Sequence, residues 1–388
     1  MKAALTQPAD CDREMGDRMK TTMTFSRVLP LPCAVMLAVA SGLIAAMVLA
    51  RPVRAAAPDE SDAASTIVSR TTPAMPFDPK ADFAEWQTRL RERLVDILAL
   101  PPGPHGPLDA RIERQEENER YTLDRIEFTA EPGEVVPGYL LLPKDGQPPY
   151  PVMICLQGHS PGMHISIGRA KTERDQRSID GGRDIAVQAV ARGWAALAIE
   201  QRGFGERAEQ GVACRDASMW ALHCGRPITG GRVHDVMRAI DFIESRPDLD
   251  QGRVGCMGNS AGGTVAFYAA CVEPRIRLAV VSCAFCPFAH SWLALPARCA
   301  CGYLPGIYAQ ADMPDLAGLI APQHLLVVAA TKDHLAPVES VRRGFETARA
   351  AFDAAGVPDH SRLVVGKGGH QFYPEIAWPV IQAILESW

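Results

Sequence analysis

Arg253-Val254-Gly255-Cys256-Met257-Gly258-Asn259-Ser260-Ala261-Gly262 reads as an apolar strand that ends in a sharp turn, and Gly263-Thr264-Val265-Ala266-Phe267-Tyr268-Ala269-Ala270 continues it as a helix. A strand, a tight turn and a helix in that order hold the central serine in a strained backbone conformation. Glycines flank it because a Cβ there would strike the neighbouring strand or helix. The Ser260 hydroxyl is thereby lifted clear of the sheet, and the helix that follows aims its free N–H groups at any negative charge developing nearby. The stretch is built to present a nucleophile.

A serine hydroxyl needs a base, and a neutral histidine base needs a carboxylate on its second nitrogen. Both are found downstream. His324-Leu325-Leu326-Val327-Val328-Ala329-Ala330 reads as a buried strand, and Asp333 lies on the loop just past it. A helical segment from Ser340 to Ala355 and a short strand, Arg362-Leu363-Val364-Val365, lead to Gly366-Lys367-Gly368-Gly369-His370. Asp333 and His370 thus both sit beyond strand ends, the edge at which open α/β sheets collect ligands and catalytic groups. Ser260, Asp333 and His370 are the expected nucleophile, acid and base. His334 is the competing base, disfavoured because it directly follows the acid and its side chain diverges from that of Asp333.

An oxyanion needs two N–H donors. One is expected from Ala261, after the nucleophile, and the other from the loop that follows the strand Pro151-Val152-Met153-Ile154-Cys155-Leu156. In Gln157-Gly158-His159-Ser160-Pro161-Gly162 the His159 N–H is the choice, with Gly158 and Ser160 as alternatives.

At 388 residues and 47% hydrophobic content the chain supports one large core with extensions. A net charge of -5 gives no basic surface for nucleic acid, so small-molecule partners are expected. Lys20 and Arg27 precede an uncharged stretch from Val28 to Ala50, followed by Arg51-Pro52-Val53-Arg54-Ala55-Ala56-Ala57, which reads as a signal peptide cleaved near Ala55 or Ala57. A retained N-terminal anchor is the alternative, and an internal start at Met19 or Met23 fits the polar first residues. The expected organisation is a signal peptide over residues 1–57, a linker and N-terminal helical extension over 58–120, and a catalytic domain over 121–388. The location is then periplasmic or secreted, with no membrane contact after cleavage.

Within the extension, 56–72 is Ala/Ser/Asp-rich and reads as a flexible linker, while Phe83, Trp86, Leu90, Leu94, Ile97 and Leu98 mark a helix that ends before Pro101-Pro102. Trp86 reads as core. Strands from Tyr121 to Thr129 and Val135 to Leu142 flank the turn Glu131-Pro132-Gly133-Glu134. Helices near 183–192 and 232–246 then alternate with the strands at 152, 194 and 253, which predicts a doubly wound, mostly parallel sheet with an antiparallel start. Two insertions, 202–231 and 283–315, follow strand ends and are expected to shape the pocket; Phe285, Phe288, Trp292, Tyr303 and Tyr308 either line a cleft or form a buried lid core. Arg202 reads as bracing its loop through a carboxylate.

Nine of the eleven cysteines lie beyond the leader. Cys283-x-x-Cys286 followed by Cys299-x-Cys301 has zinc-like spacing, but disulfides are the preferred reading, Cys214 with Cys224 and a pair within 283–301. Cys155, Cys256 and Cys271 read as core packing. No metal and no cofactor are expected.

From about Tyr121 onward the chain resembles the α/β-hydrolase superfamily, in its bacterial dienelactone-hydrolase and acetyl-xylan-esterase-like branch. Gln157-Gly158-His159, Gln201-Arg202-Gly203-Phe204-Gly205, Gly255 to Gly263, Asp333 and Gly368-Gly369-His370 carry the resemblance. It implies a cofactor-free Ser-His-Asp hydrolase. The chain lacks the HGGG motif of lipases and has Ser where dienelactone hydrolases have Cys, so neither of those substrates carries over. The reading is an exported serine esterase acting on a short-chain carboxylic ester, such as an O-acetyl group on a carbohydrate. The rivals are a peptidase of the same fold, for which the chain has too few residues to add a propeller, and a non-catalytic binding protein on a hydrolase scaffold.

Overall fold

The computed structural model describes residues 63–103, 105–208, 210–294 and 298–388. The expected signal peptide lies outside the described residues. Ala63–Arg70 is helical where composition predicts a linker. Ile67–Trp388 forms one compact unit.

Nine strands make one sheet: β1 (Arg111–Glu117), β2 (Tyr121–Glu131), β3 (Glu134–Pro143), β4 (Tyr150–Leu156), β5 (Ala195–Ile199), β6 (Leu249–Asn259), β7 (Leu278–Ser282), β8 (His324–Ala330) and β9 (Ser361–Gly366), in the order β1-β2-β3-β5-β4-β6-β7-β8-β9. β1, β2, β3 and β5 pair antiparallel, and from β5 through β9 every pair is parallel. The sheet is therefore mostly parallel with an antiparallel start, as the alternation of elements predicts. β4, β5, β7 and β8 are buried almost throughout, as strands covered on both faces must be. β1, absent from the sequence reading, is exposed along its whole length and reads Arg-Ile-Glu-Arg-Gln-Glu-Glu. Its charges blunt the sheet edge and leave no alternating apolar signal.

Helices Phe83–Leu98, Ile228–Glu244, Ala261–Val272 and Val338–Ala354 bury the core on one face, and Ile185–Val190 and Pro374–Glu386 on the other. Phe83–Leu98 shows how the extension docks. Asp82 caps it by accepting from the Glu85 N–H, and Ala99 ends it in the left-handed region at φ 50°. Leu90, Leu94 and Leu98, spaced by four, are fully buried, each contributing roughly 1.5–3 kcal/mol. Arg91 then ties the helix to the backbone carbonyls of Cys271 and Leu319 at 3.0 and 2.7 Å. Trp86 packs on this core and donates to the Met75 carbonyl, in line with its expected role.

The strand order reverses at β4, whose neighbours are β5 and β6. That switch point opens a crevice at the carboxyl ends of the strands, where a doubly wound sheet binds its ligand.

Candidate active site

Ser260 stands at the tip of β6 with φ 58° and ψ −120°, a conformation costing a non-glycine residue roughly 1–3 kcal/mol. Its neighbours explain why it holds. A Cβ on Gly258 would lie 2.3 Å from the Gly262 carbonyl carbon, and one on Gly262 would lie 2.2 Å from the Leu156 oxygen. The Ser260 N–H donates to the Ser282 carbonyl at 2.8 Å, and the Ser282 hydroxyl donates to Asn259 Oδ1 at 2.9 Å, so β7 grips both sides of the turn.

Asp333 lies past the end of β8, and His370 past the end of β9. His370 Nδ1 and Asp333 Oδ2 are 2.9 Å apart, and Asp333 Oδ1 accepts the Leu335 N–H at 2.9 Å. Burial pushes the Asp333 carboxyl up, but the His370 hydrogen bond and charge outweigh it and hold the group below the usual carboxylate range. His334 is exposed. His370 Nε2 is buried and has no hydrogen-bond partner among the described residues. Arg183 Nη2 donates to the His370 carbonyl at 2.7 Å and pins the loop.

A cavity of about 280 Å³ lies over the carboxyl ends of the strands, and its walls include Ser260, Ala261, His159, Cys283, Trp292 and Arg298. Ser260 and both expected oxyanion donors thus share one space. Cys283 joins the two halves of the site: it lines the cavity, and its Sγ lies within 4.8 Å of ligand atoms of Asp333 and His370. Burial pushes its thiol up to about 12, so it stays neutral and is no rival nucleophile.

Glu200, just past β5, supports the His159 loop and is 1% exposed. It accepts from the Met163 N–H at 3.2 Å and from the Gln157 side chain, and a Cβ on Gly205 would lie 2.0 Å from its Oε2. Burial raises its pKa to about 7. Neither Glu200 nor Arg183 was identified from sequence. A carboxylate directly after the all-apolar Ala195–Ile199 was the available signal for Glu200.

Both insertions reach the cavity, through Thr229 of the first, with Arg232 just beyond it, and through Cys283, Trp292, Arg298 and Cys301 of the second. Of the lid aromatics, Phe285 and Phe288 are buried core, while Trp292 lines the cavity with Arg298 stacked 4.6 Å over its ring. Arg202 braces its loop, donating to Asp235 at 2.8 Å and Glu131 at 2.9 Å.

The cysteine expectations are corrected. Cys214 opens the helix Cys214–His223 and Cys224 follows its end, so the two stand about 15 Å apart along the axis at ~1.5 Å per residue, too far for a disulfide. Cys283 donates to the Gln371 carbonyl at 3.3 Å and Cys286 is core, so neither joins Cys299 and Cys301. The latter two instead approach Cys214 and the His159 ring, with all four ligand atoms within 4.8 Å of one another. All nine described cysteines are free thiols.

A strained serine at the end of a central strand and a carboxylate–imidazole pair past two later ones lie at the edge of the sheet where the α/β-hydrolase fold carries its reacting groups. Known proteins agree. The Abhydrolase family model matches residues 62–221, and the acetyl xylan esterase (AXE1) model matches residues 186–294. The Bacillus subtilis (strain 168) protein YtaP, which carries the name of a hydrolase, is 25% identical over 290 residues, covering 72% of this chain and 92% of its own. A Bacteroides fragilis NCTC 9343 protein described as an acetyl xylan esterase superposes with a TM-score of 0.68 at 16% identity, over 83% of this chain and 93% of its own. A glucuronoyl esterase from Solibacter usitatus superposes with a TM-score of 0.65 at 15% identity, over 82% and 99%. The chain has the α/β-hydrolase fold and is similar, over part of its length, to an abhydrolase family and to acetyl-xylan-esterase-like ester-hydrolysing enzymes. Among the described residues no helix is long and apolar enough to cross a membrane.

Proposed function

We propose that this chain is a serine esterase that removes a short acyl group, acetyl fitting best, from a carbohydrate hydroxyl. The observation that carries the reading is Ser260, held at φ 58° in a cavity of about 280 Å³. That volume falls just below the roughly 300–1,000 Å³ typical of ligand sites, which suits an acetyl group and part of a sugar ring better than a long acyl chain.

In the proposed cycle the Asp333 carboxylate keeps the proton on His370 Nδ1, leaving the Nε2 lone pair free. Nε2 takes the Ser260 proton as Oγ bonds to the ester carbonyl carbon. The carbonyl electrons move onto oxygen, which the backbone N–H groups of Ala261 and His159 stabilise. The C–O bond to the sugar then breaks as His370 returns the proton to the leaving hydroxyl. Water, deprotonated by the same nitrogen, releases the acid and regenerates Ser260.

Arg298 favours a second reading. Its guanidinium lines the cavity and its Nε is buried without a hydrogen-bond partner among the described residues, so a sugar carboxyl group could itself be the acyl part, as in a uronate ester. Export from the cytoplasm, by the Lys20 to Ala57 leader, and a catalytic part over 121–388 complete the proposal.

The test is hydrolysis of p-nitrophenyl esters from acetate to octanoate, followed by acetylated xylan and methyl glucuronate, by wild type and Ser260→Ala. Activity that peaks at acetate, extends to acetylated xylan and vanishes in the variant supports the reading. Turnover of methyl glucuronate alone selects the second reading. No turnover above the variant on any ester removes both.

A further inference from the structure

Outside the nucleophile's own machinery, one group of side chains has a ligand chemistry that the esterase cycle does not use. His159 comes from the loop after β4, Cys214 from the insertion after β5, and Cys299 and Cys301 from the lid segment after β7. Three loops separated by up to 142 positions bring an imidazole and three thiols to one point, every ligand atom within 4.8 Å of the others. Cys214 and Cys299 Sγ are 3.9 Å apart. A tetrahedral zinc with Zn–S bonds of about 2.3 Å sets two sulfurs about 3.8 Å apart. A disulfide requires about 2.05 Å.

We propose that His159, Cys214, Cys299 and Cys301 bind one zinc ion as a closed, structural site.

Two further features fit it. Three thiolates and a dication leave a net negative charge, and Arg232, itself 2% exposed, directs Nη2 at Cys214 Sγ from 3.5 Å. The same guanidinium donates to the Arg202 carbonyl at 2.6 Å and lies 4.1 Å over the Phe204 ring, so it is locked in place as a partner for the charged cluster. The surrounding backbone is held as well. The Ser218 hydroxyl donates to the Cys214 carbonyl at 2.6 Å, and the Thr229 hydroxyl donates to the Cys301 carbonyl. His159 is exposed and lines the cavity together with Cys299 and Cys301, so an ion has a way in from that side.

With four protein ligands the metal has no open position for water, so its work is mechanical. It ties together the three loops that wall the cavity. It also fixes the His159 ring, and through it the backbone N–H proposed to meet the oxyanion. In an oxidising compartment, bound zinc keeps these thiols from forming disulfides.

The site is tested by metal content, a readout that needs no ester hydrolysis, so its failure leaves the esterase reading standing. The full chain is purified without chelator from zinc-supplemented medium, and zinc per chain is measured for wild type, Cys214→Ser, Cys301→Ser and Cys283→Ser. One zinc in wild type and Cys283→Ser, with loss from the other two, is expected. The Cys283 variant matters because Cys283, Asp333 and His370 form a second group with ligand atoms within 4.8 Å. If the other variants fail to fold, cobalt loaded into metal-stripped wild type decides: cobalt–thiolate absorption bands are expected. Folded wild type with neither zinc nor those bands overturns the proposal. So does a disulfide joining Cys214 to Cys299 or Cys301 in unreduced peptides, or zinc lost from Cys283→Ser and kept in Cys301→Ser.

Discussion

His370 Nδ1 lies 2.9 Å from Asp333 Oδ2, while the other oxygen of that carboxylate accepts the Leu335 backbone N–H at the same distance. With both oxygens engaged, the carboxylate cannot rotate away from the ring. The imidazole is therefore held as the Nδ1–H tautomer with Nε2 as its basic atom.

Asp333→Asn keeps the shape but removes the charge and favours the wrong tautomer. The expected result is a fall in kcat of roughly 10⁴ with KM changed little, measured on p-nitrophenyl acetate. A kcat within about tenfold of wild type would remove Asp333 from the mechanism. The same pair has a stability consequence. Because the folded-state pKa of Asp333 is held below its ordinary value of 3.8, its contribution is present above that value and disappears as pH falls through the lowered one.

Arg183 reaches the His370 carbonyl at 2.7 Å and touches no part of the proposed nucleophile, so it acts by positioning. Arg183→Ala is expected to lower kcat roughly tenfold or more while KM holds, since a small misplacement of the base affects the chemical step most. Comparing kcat with KM checks it. A rise in KM alone would point to substrate contact instead.

Glu200 has the opposite sign to Asp333. Burial raises its folded-state pKa from 4.5 to about 7, so the folded protein binds a proton that the unfolded chain has lost. Its contribution is full below about pH 4.5 and is lost as pH rises to about 7, a change on the order of 3 kcal/mol. Urea unfolding across that window should show stability falling with pH in wild type, and Glu200→Gln should flatten the slope. Equal slopes in the two proteins would contradict the assignment.

Gly262→Ala is expected to destabilise the protein by roughly 1–3 kcal/mol or more and to abolish activity, because its Cβ would sit 2.2 Å from the Leu156 oxygen and 2.5 Å from that of Gln157. Both obstacles are backbone and cannot rotate aside. Thermal unfolding beside turnover checks it, and an active variant of wild-type stability would refute the packing account of the turn.

Much of this site was legible because its parts lie where local patterns change. Ser260, Asp333, His370 and His159 each follow an apolar run closely, and a strand end is visible in one dimension. The edge strand β1 was not legible: fully exposed on both faces, it has no reason to alternate. Cysteine spacing misled for a related reason. Cys299-x-Cys301 has the look of half a metal clip, but its nearest partners, Cys214 and His159, are set by the order of the strands and not by proximity along the chain. Glu200 and Arg183 act through backbone groups of distant loops, contacts that leave no periodic trace in the sequence.

The central claim is that Ser260 is the nucleophile, and covalent trapping tests it most directly. Wild-type protein is treated with a fluorophosphonate and the modified peptide is identified by mass spectrometry. A single adduct on Ser260, absent from Ser260→Ala and formed far more slowly in His370→Ala, is the predicted result. An unmodified Ser260, or an adduct that persists in Ser260→Ala, would contradict it.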